Sequence, residues 1–162
     1  MPAPSAYPHY GSCYCGAVRY RIETPPMFVN CCHCTECQRQ TSSAFAINAI
    51  IETDRITMLS GAPDSIAMQT ESGSPHDIYR CPACKTALWS DYGHRPAVRF
   101  LRVATLDHPS TLPPMAHIFT RSKLDWVVLP QGVPAFEIYY DMETLWPPES
   151  LARREALLGK GN

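Results

Sequence analysis

Gly11-Ser12-Cys13-Tyr14-Cys15-Gly16 and Cys81-Pro82-Ala83-Cys84 belong together before any strand is assigned. Cys13 and Cys15 stand two residues apart, so in an extended segment both sulfurs leave the same face. Cys81 and Cys84 bracket a C-x-x-C turn, a spacing that lets both sulfurs approach one metal ion. Neither pair completes a tetrahedron; together they do. The expectation is a closed four-thiolate zinc site that staples residue 13 to residue 84 and so decides which strands meet. Structural zinc contributes about 10 to 16 kcal/mol in small domains, against about 5 to 15 kcal/mol for the net stability of a whole domain. Metal and fold are then inseparable, and chelation is expected to unfold the chain.

The other four of the eight cysteines crowd into Cys31-Cys32-His33-Cys34-Thr35-Glu36-Cys37. Strand alternation puts Cys32 and Cys34 on one face and Cys31 and His33 on the other. Cys32, Cys34 and Cys37 are therefore the expected ligands of a second zinc, with Cys31 left to packing. Three protein ligands and an open fourth position characterise catalytic zinc, leaving room for water or a substrate thiol. A chain bend that breaks the alternation would instead let Cys31 or His33 close the site. A third reading makes Cys34 to Cys37 a redox C-x-x-C pair, though the β-α-β context of such motifs is missing.

Compartment separates zinc from disulfides. Met1 to Tyr10 has neither the basic nor the apolar region of a secretion signal, and no run approaches the roughly 18 apolar residues of a membrane span. A soluble, cytoplasmic protein with no membrane partner is expected, in a compartment where disulfides are rare. Fourteen Lys plus Arg against fifteen Asp plus Glu leave a formal charge of -1, so no broad positive field points to nucleic acid.

A length of 162 residues fits one domain, and 16 prolines work against long helices. Short runs rich in β-branched and aromatic residues recur between turn residues, which predicts a mainly β fold. Strands are expected at Ala17 to Ile22, Met27 to Cys32, Phe45 to Ile51, Ile56 to Leu59 and Ile78 to Arg80. Others are expected at Ala87 to Trp89, Val98 to Val103, His117 to Thr120 and Phe136 to Tyr140. Cys34 to Thr41, free of Gly and Pro, reads as a short helical turn. The clearest helix runs from Glu149 to Leu158, between Pro147-Pro148 and Gly159. It belongs to a C-terminal extension, residues 142–162, appended to a zinc-binding domain at residues 7–141 and assigned no chemistry. The Pro-rich stretches Met1 to Pro8 and His108 to Pro114 read as extended loops.

These motifs resemble the family of glutathione-dependent formaldehyde-activating enzymes, also called the CENP-V/GFA family. Gly11-Ser-Cys-Tyr-Cys-Gly-Ala-Val-Arg-Tyr20 is similar to its opening, Cys32-His-Cys-Thr-Glu-Cys37 with Gln-Arg-Gln-Thr to its central motif, and Cys81-Pro-Ala-Cys84 to its third. Ser43-Ala-Phe45, His117 to Ser122, Trp126 and Leu129 to Phe136 extend the likeness over about Tyr7 to Tyr140. Ser42 and Lys85 stand where the family commonly has Gly, and Lys85 is expected to alter the turn slightly, since only Gly takes positive φ without cost.

The resemblance implies an Mss4-like arrangement of coiled antiparallel sheets with short helical turns. It implies structural zinc on Cys13, Cys15, Cys81 and Cys84, and a second, catalytic zinc on Cys32, Cys34 and Cys37. The implied activity is that of a carbon-sulfur lyase, an S-(hydroxymethyl)glutathione synthase joining glutathione or a related thiol to formaldehyde or a related aldehyde. The alternative is a noncatalytic, zinc-stapled binding module with a closed second site. Arg39, Arg99, Arg102, Arg121 and Lys123 are candidates for glutathione carboxylates but are read as solvated. His117, Trp126 and Phe136 are read as core residues.

Overall fold

The computed structural model describes residues 6–159; the first part of the N-terminal Pro-rich stretch and the last three residues of the extension lie outside the described residues. A three-stranded sheet is ordered β1 (His9–Ser12), β2 (Arg19–Ile22) and β5 (Ile56–Ser60). A seven-stranded sheet runs β10 (Ala116–Ile118), β3 (Phe28–Cys32), β4 (Ala46–Glu52), β9 (Val98–Arg102), β8 (Ala87–Tyr92), β7 (His76–Arg80) and β6 (Asp64–Met68). Three α-helices are present among the described residues: α1 (Thr35–Thr41), α2 (Met142–Leu145) and α3 (Pro148–Gly159). None is long and apolar enough to cross a membrane.

The mainly β expectation holds, with one correction to the wholly antiparallel sheets. β10 joins β3 in parallel, pairing His117 with Cys31, because the chain leaves β9 in the interior of the sheet and crosses past β4 and β3 to reach the edge rather than turning in a hairpin. Phe136 to Tyr140 is not a strand. It does lie beside β10, with His117 N donating to Pro134 O and Phe119 N donating to Ile138 O. The left-handed Phe119, at φ 55°, breaks the regular repeat there. Two strands escaped the sequence reading. β6 is an exposed edge strand, Asp-Ser-Ile-Ala-Met, with little β-propensity. β1 contains Gly11, where a Cβ would lie 2.5 Å from the Tyr20 ring.

β3 is buried along its whole length because both of its faces are covered. Val29, with Ala49, Ile51 and Leu101 from β4 and β9, packs against Tyr20 and Ile22 of the small sheet. Phe28 and Cys32, with Ala46 and Ile50, face the opposite way, toward Ile118, Tyr140 and Trp146. The C-terminal extension covers this second face. Trp146 stacks on Phe28 at 5.4 Å between ring centroids, and its indole N–H donates to Tyr140 Oη, which donates to Asn30 Oδ1, each at 3.0 Å. Ser150 Oγ donates to Met27 O at 2.6 Å, and the Arg153 guanidinium pairs with buried Glu52 at 2.6 Å. The extension is therefore docked on the body.

Candidate active site

Cys13 and Cys15 sit in the β1–β2 connection, and Cys81 and Cys84 in the β7–β8 hairpin. Their four sulfurs all lie within 4.8 Å of one another. Cys13 Sγ is 3.6 Å from Cys15 Sγ, which is 3.8 Å from Cys81 Sγ. Tetrahedral zinc with bonds of about 2.3 Å spaces its sulfurs by about 3.8 Å, so the donor set fits the ion. Cys13 Sγ also accepts the Val18 amide, and Cys84 is held down to about 5 by hydrogen bonds from the Thr86 hydroxyl and amide. Both contacts favour thiolate, the form that binds metal.

Lys85 and Ser42, where the family commonly has Gly, keep left-handed backbone at φ 63° and 52°. Both positions thus take the backbone region that Gly enters without cost. Lys85 N donates to Cys81 O, closing the turn, while Lys85 Nζ donates to Pro82 O at 2.7 Å.

The central motif divides by face. Cys32, Cys34 and Cys37 bring three sulfurs within 4.8 Å of one another. β3 supplies Cys32, the link to α1 supplies Cys34, and the first turn of α1 supplies Cys37. Cys34 is the N-cap of α1, accepting the Cys37 amide at 3.3 Å. Contacts from the Cys32 and Cys37 thiols, with the Cys37 and Glu36 amides, hold Cys34 down to about 2, while Cys34 and Cys37 push Cys32 far up. One negative charge concentrates on Cys34 and opposes a second, the situation a cation among the sulfurs relieves.

Cys31 and His33 point to the other face, where His117 joins them as a separate buried group. His33 Nε2 lies 3.0 Å from His117 Nδ1 and 3.6 Å from Cys31 Sγ. Burial pushes His33 down to about 4 and lowers His117 as well, so both imidazoles are neutral. The alternation along β3 therefore holds, and neither Cys31 nor His33 turns toward the Cys32 group.

Cys32, Cys34 and Cys37 line a cavity of about 450 Å³ between β3, β4, β9 and the C-terminal extension. Asn48 and Tyr92 also line it. Burial pushes the Tyr92 phenol above its ordinary range, keeping it protonated at neutral pH. Arg102, expected at the surface, is buried, donating to Asn48 Oδ1 and, at 3.1 Å, to Ser90 Oγ. It makes no carboxylate ion pair among the described residues, and its charge counters the upward push that neighbouring sulfur exerts on Cys37. Arg99 is buried too, but pairs with Asp91 at 3.3 Å. Trp126, expected in the core, is 72% exposed, whereas Phe136 packs at the edge of the second core.

The chain matches the family model described as glutathione-dependent formaldehyde-activating enzyme over residues 8–122. It belongs to that family. A Halomonas elongata protein named for the same family is 30% identical over 156 residues, spanning 92% of this chain and 95% of its own. A crystal structure of a Rhodobacter sphaeroides protein aligns at 21% identity with a TM-score of 0.46, covering 78% of this chain and 98% of its own. The GFA match ends at residue 122, so α2 and α3, which wall the cavity, lie beyond it. Leu157 and Arg154 of α3 had no signal in the cysteine motifs that would have assigned them to a site.

Proposed function

We propose that this chain is a zinc-dependent carbon-sulfur lyase that joins a thiol, glutathione or a relative of it, to formaldehyde or a related aldehyde. The family descriptions of the model and of the Halomonas relative support glutathione and formaldehyde as the reactant classes. The observation that carries the reading is that the Cys32, Cys34 and Cys37 sulfurs converge on one point and also line a cavity. A closed structural site has no use for such a space.

In this reading Cys13, Cys15, Cys81 and Cys84 hold a structural zinc, and Cys32, Cys34 and Cys37 hold a second. Bound there, zinc would keep a substrate sulfur as thiolate or draw electron density from an aldehyde oxygen. The chain's own side chains contribute the rest. Arg102 sets a buried positive charge beside a cluster whose sulfurs are anionic when metallated. Tyr92, held protonated, offers a hydrogen bond to an aldehyde oxygen that gains negative charge as the sulfur adds. Apolar walls keep bulk water from competing for the carbonyl carbon.

The test mixes glutathione and formaldehyde with fully zinc-loaded protein and follows adduct formation against the spontaneous reaction. Acceleration that disappears in Cys34→Ala, with circular dichroism unchanged, is the expected result. A metallated protein that accelerates thiol addition to no aldehyde ends the lyase reading.

A further inference from the structure

The size and lining of the cavity say more about its occupant than the sulfurs do. About 450 Å³ is more than ten times the roughly 30 Å³ share of a water molecule, and formaldehyde carries only one more heavy atom than water. It lies in the range that encloses drug-sized ligands. Met27, Ile50, Phe100, Ile118, Trp146 and Leu157 form its walls, drawn from the β3–β4–β9 face, β10 and the C-terminal extension. Its two lining cations are largely engaged elsewhere. Arg95 donates through Nε to Tyr92 O and lies over the Phe100 ring, and Arg154 faces Glu143 at 3.7 Å. Arg95 is exposed and Arg154 half-buried, so the charge of an occupant belongs toward the solvent side and its carbon skeleton inside. A one-carbon aldehyde would leave most of this apolar surface in contact with water.

We propose that the reactant taken by this cavity is an aldehyde carrying a medium-chain alkyl or aryl group, bound as its adduct with a thiol whose polar part faces the rim. The proposal rests on the lyase reading and narrows its substrate class. In the step, a bond forms between the thiol sulfur and the carbonyl carbon, and the π pair of the C=O bond moves onto oxygen. The thiol proton ends on that oxygen, nothing is oxidised or reduced, and the product is a hemithioacetal.

Zinc-loaded protein is titrated calorimetrically with S-methylglutathione and S-hexylglutathione, stable stand-ins for a small and a large adduct. Burial of the five additional methylenes should tighten binding at least about 100-fold, since each buried methylene is worth up to about fourfold. Equal affinity for the two probes, or binding of neither, overturns the proposal. Leu157→Asp, which charges the wall, should cut the advantage of the hexyl probe at least about tenfold, and Val98→Trp, which fills the space, should act in the same direction. An unchanged advantage in both folded variants overturns the proposal as well. The lyase reading is tested separately by formaldehyde addition rates. A protein that prefers the hexyl probe yet accelerates no addition keeps the apolar ligand class and loses the reaction, and one that accelerates formaldehyde addition with no hexyl preference does the reverse.

Discussion

Arg102 is a buried guanidinium whose hydrogen-bond partners, Asn48 and Ser90, are neutral, and its charge favours the thiolate form of nearby Cys37. Arg102→Gln should weaken zinc at Cys32, Cys34 and Cys37 by about 10-fold or more and leave the four-cysteine site untouched. Chelator competition with zinc counted by native mass spectrometry reads the two sites apart, and equal loss from both would contradict the assignment. Lys85 illustrates a different residue-scale economy. Its φ of 63° is left-handed, which costs an L side chain roughly 1 to 2 kcal/mol, part of which Gly gives back in unfolded-state entropy. Lys85→Gly should therefore raise stability by about 0.5 to 1 kcal/mol, seen as a higher urea midpoint at unchanged slope.

At the scale of elements, β3 serves two purposes at once. Its odd and even positions deliver Cys31 and Cys32 to opposite faces, so one strand carries both a buried imidazole-thiol group and a wall of the cavity. α3 is held to that cavity by Glu52 and Arg153. Burial pushes the Glu52 carboxyl up, but the hydrogen bonds and charge of Arg153, with Arg55, more than offset it and leave the group below its ordinary value. The contribution of the pair is thus complete above the unfolded carboxylate pKa of about 4.3 and is lost as the pH falls through the lower folded value. Arg153→Ala should cost about 1 to 3 kcal/mol at pH 7. The gap from wild type should shrink steadily in urea titrations below about pH 4. A gap independent of pH would mean that Arg153 acts by packing alone.

Across the whole molecule, the four-cysteine group joins the two sheets, since the β1–β2 connection belongs to the small sheet and the β7–β8 hairpin to the large one. Zinc held there would close a loop of about 70 residues. Stripping zinc with a high-affinity chelator should abolish the cooperative thermal transition, and readdition should restore it. Circular dichroism unchanged after complete zinc loss would refute the staple.

Local order carried most of what could be read in advance. Cysteine spacing identified both sulfur groups, alternation separated Cys32 and Cys34 from Cys31 and His33, and β-rich runs marked eight of the ten strands among the described residues. Each of these depends on neighbours a few residues apart or on ligand number, which a chain carries in itself. Burial of Arg102, exposure of Trp126 and the parallel pairing of β10 depend on what arrives from far along the chain. The docking of α3 is the clearest case. Its Leu157 and Arg154 become part of the site only because Trp146, Ser150 and Arg153 find partners on β3, β4 and the residue preceding β3, more than 90 residues away. Sequence determined where sulfur would gather; tertiary packing decided what space stands beside it, because a cavity is made by surfaces that no single segment contains.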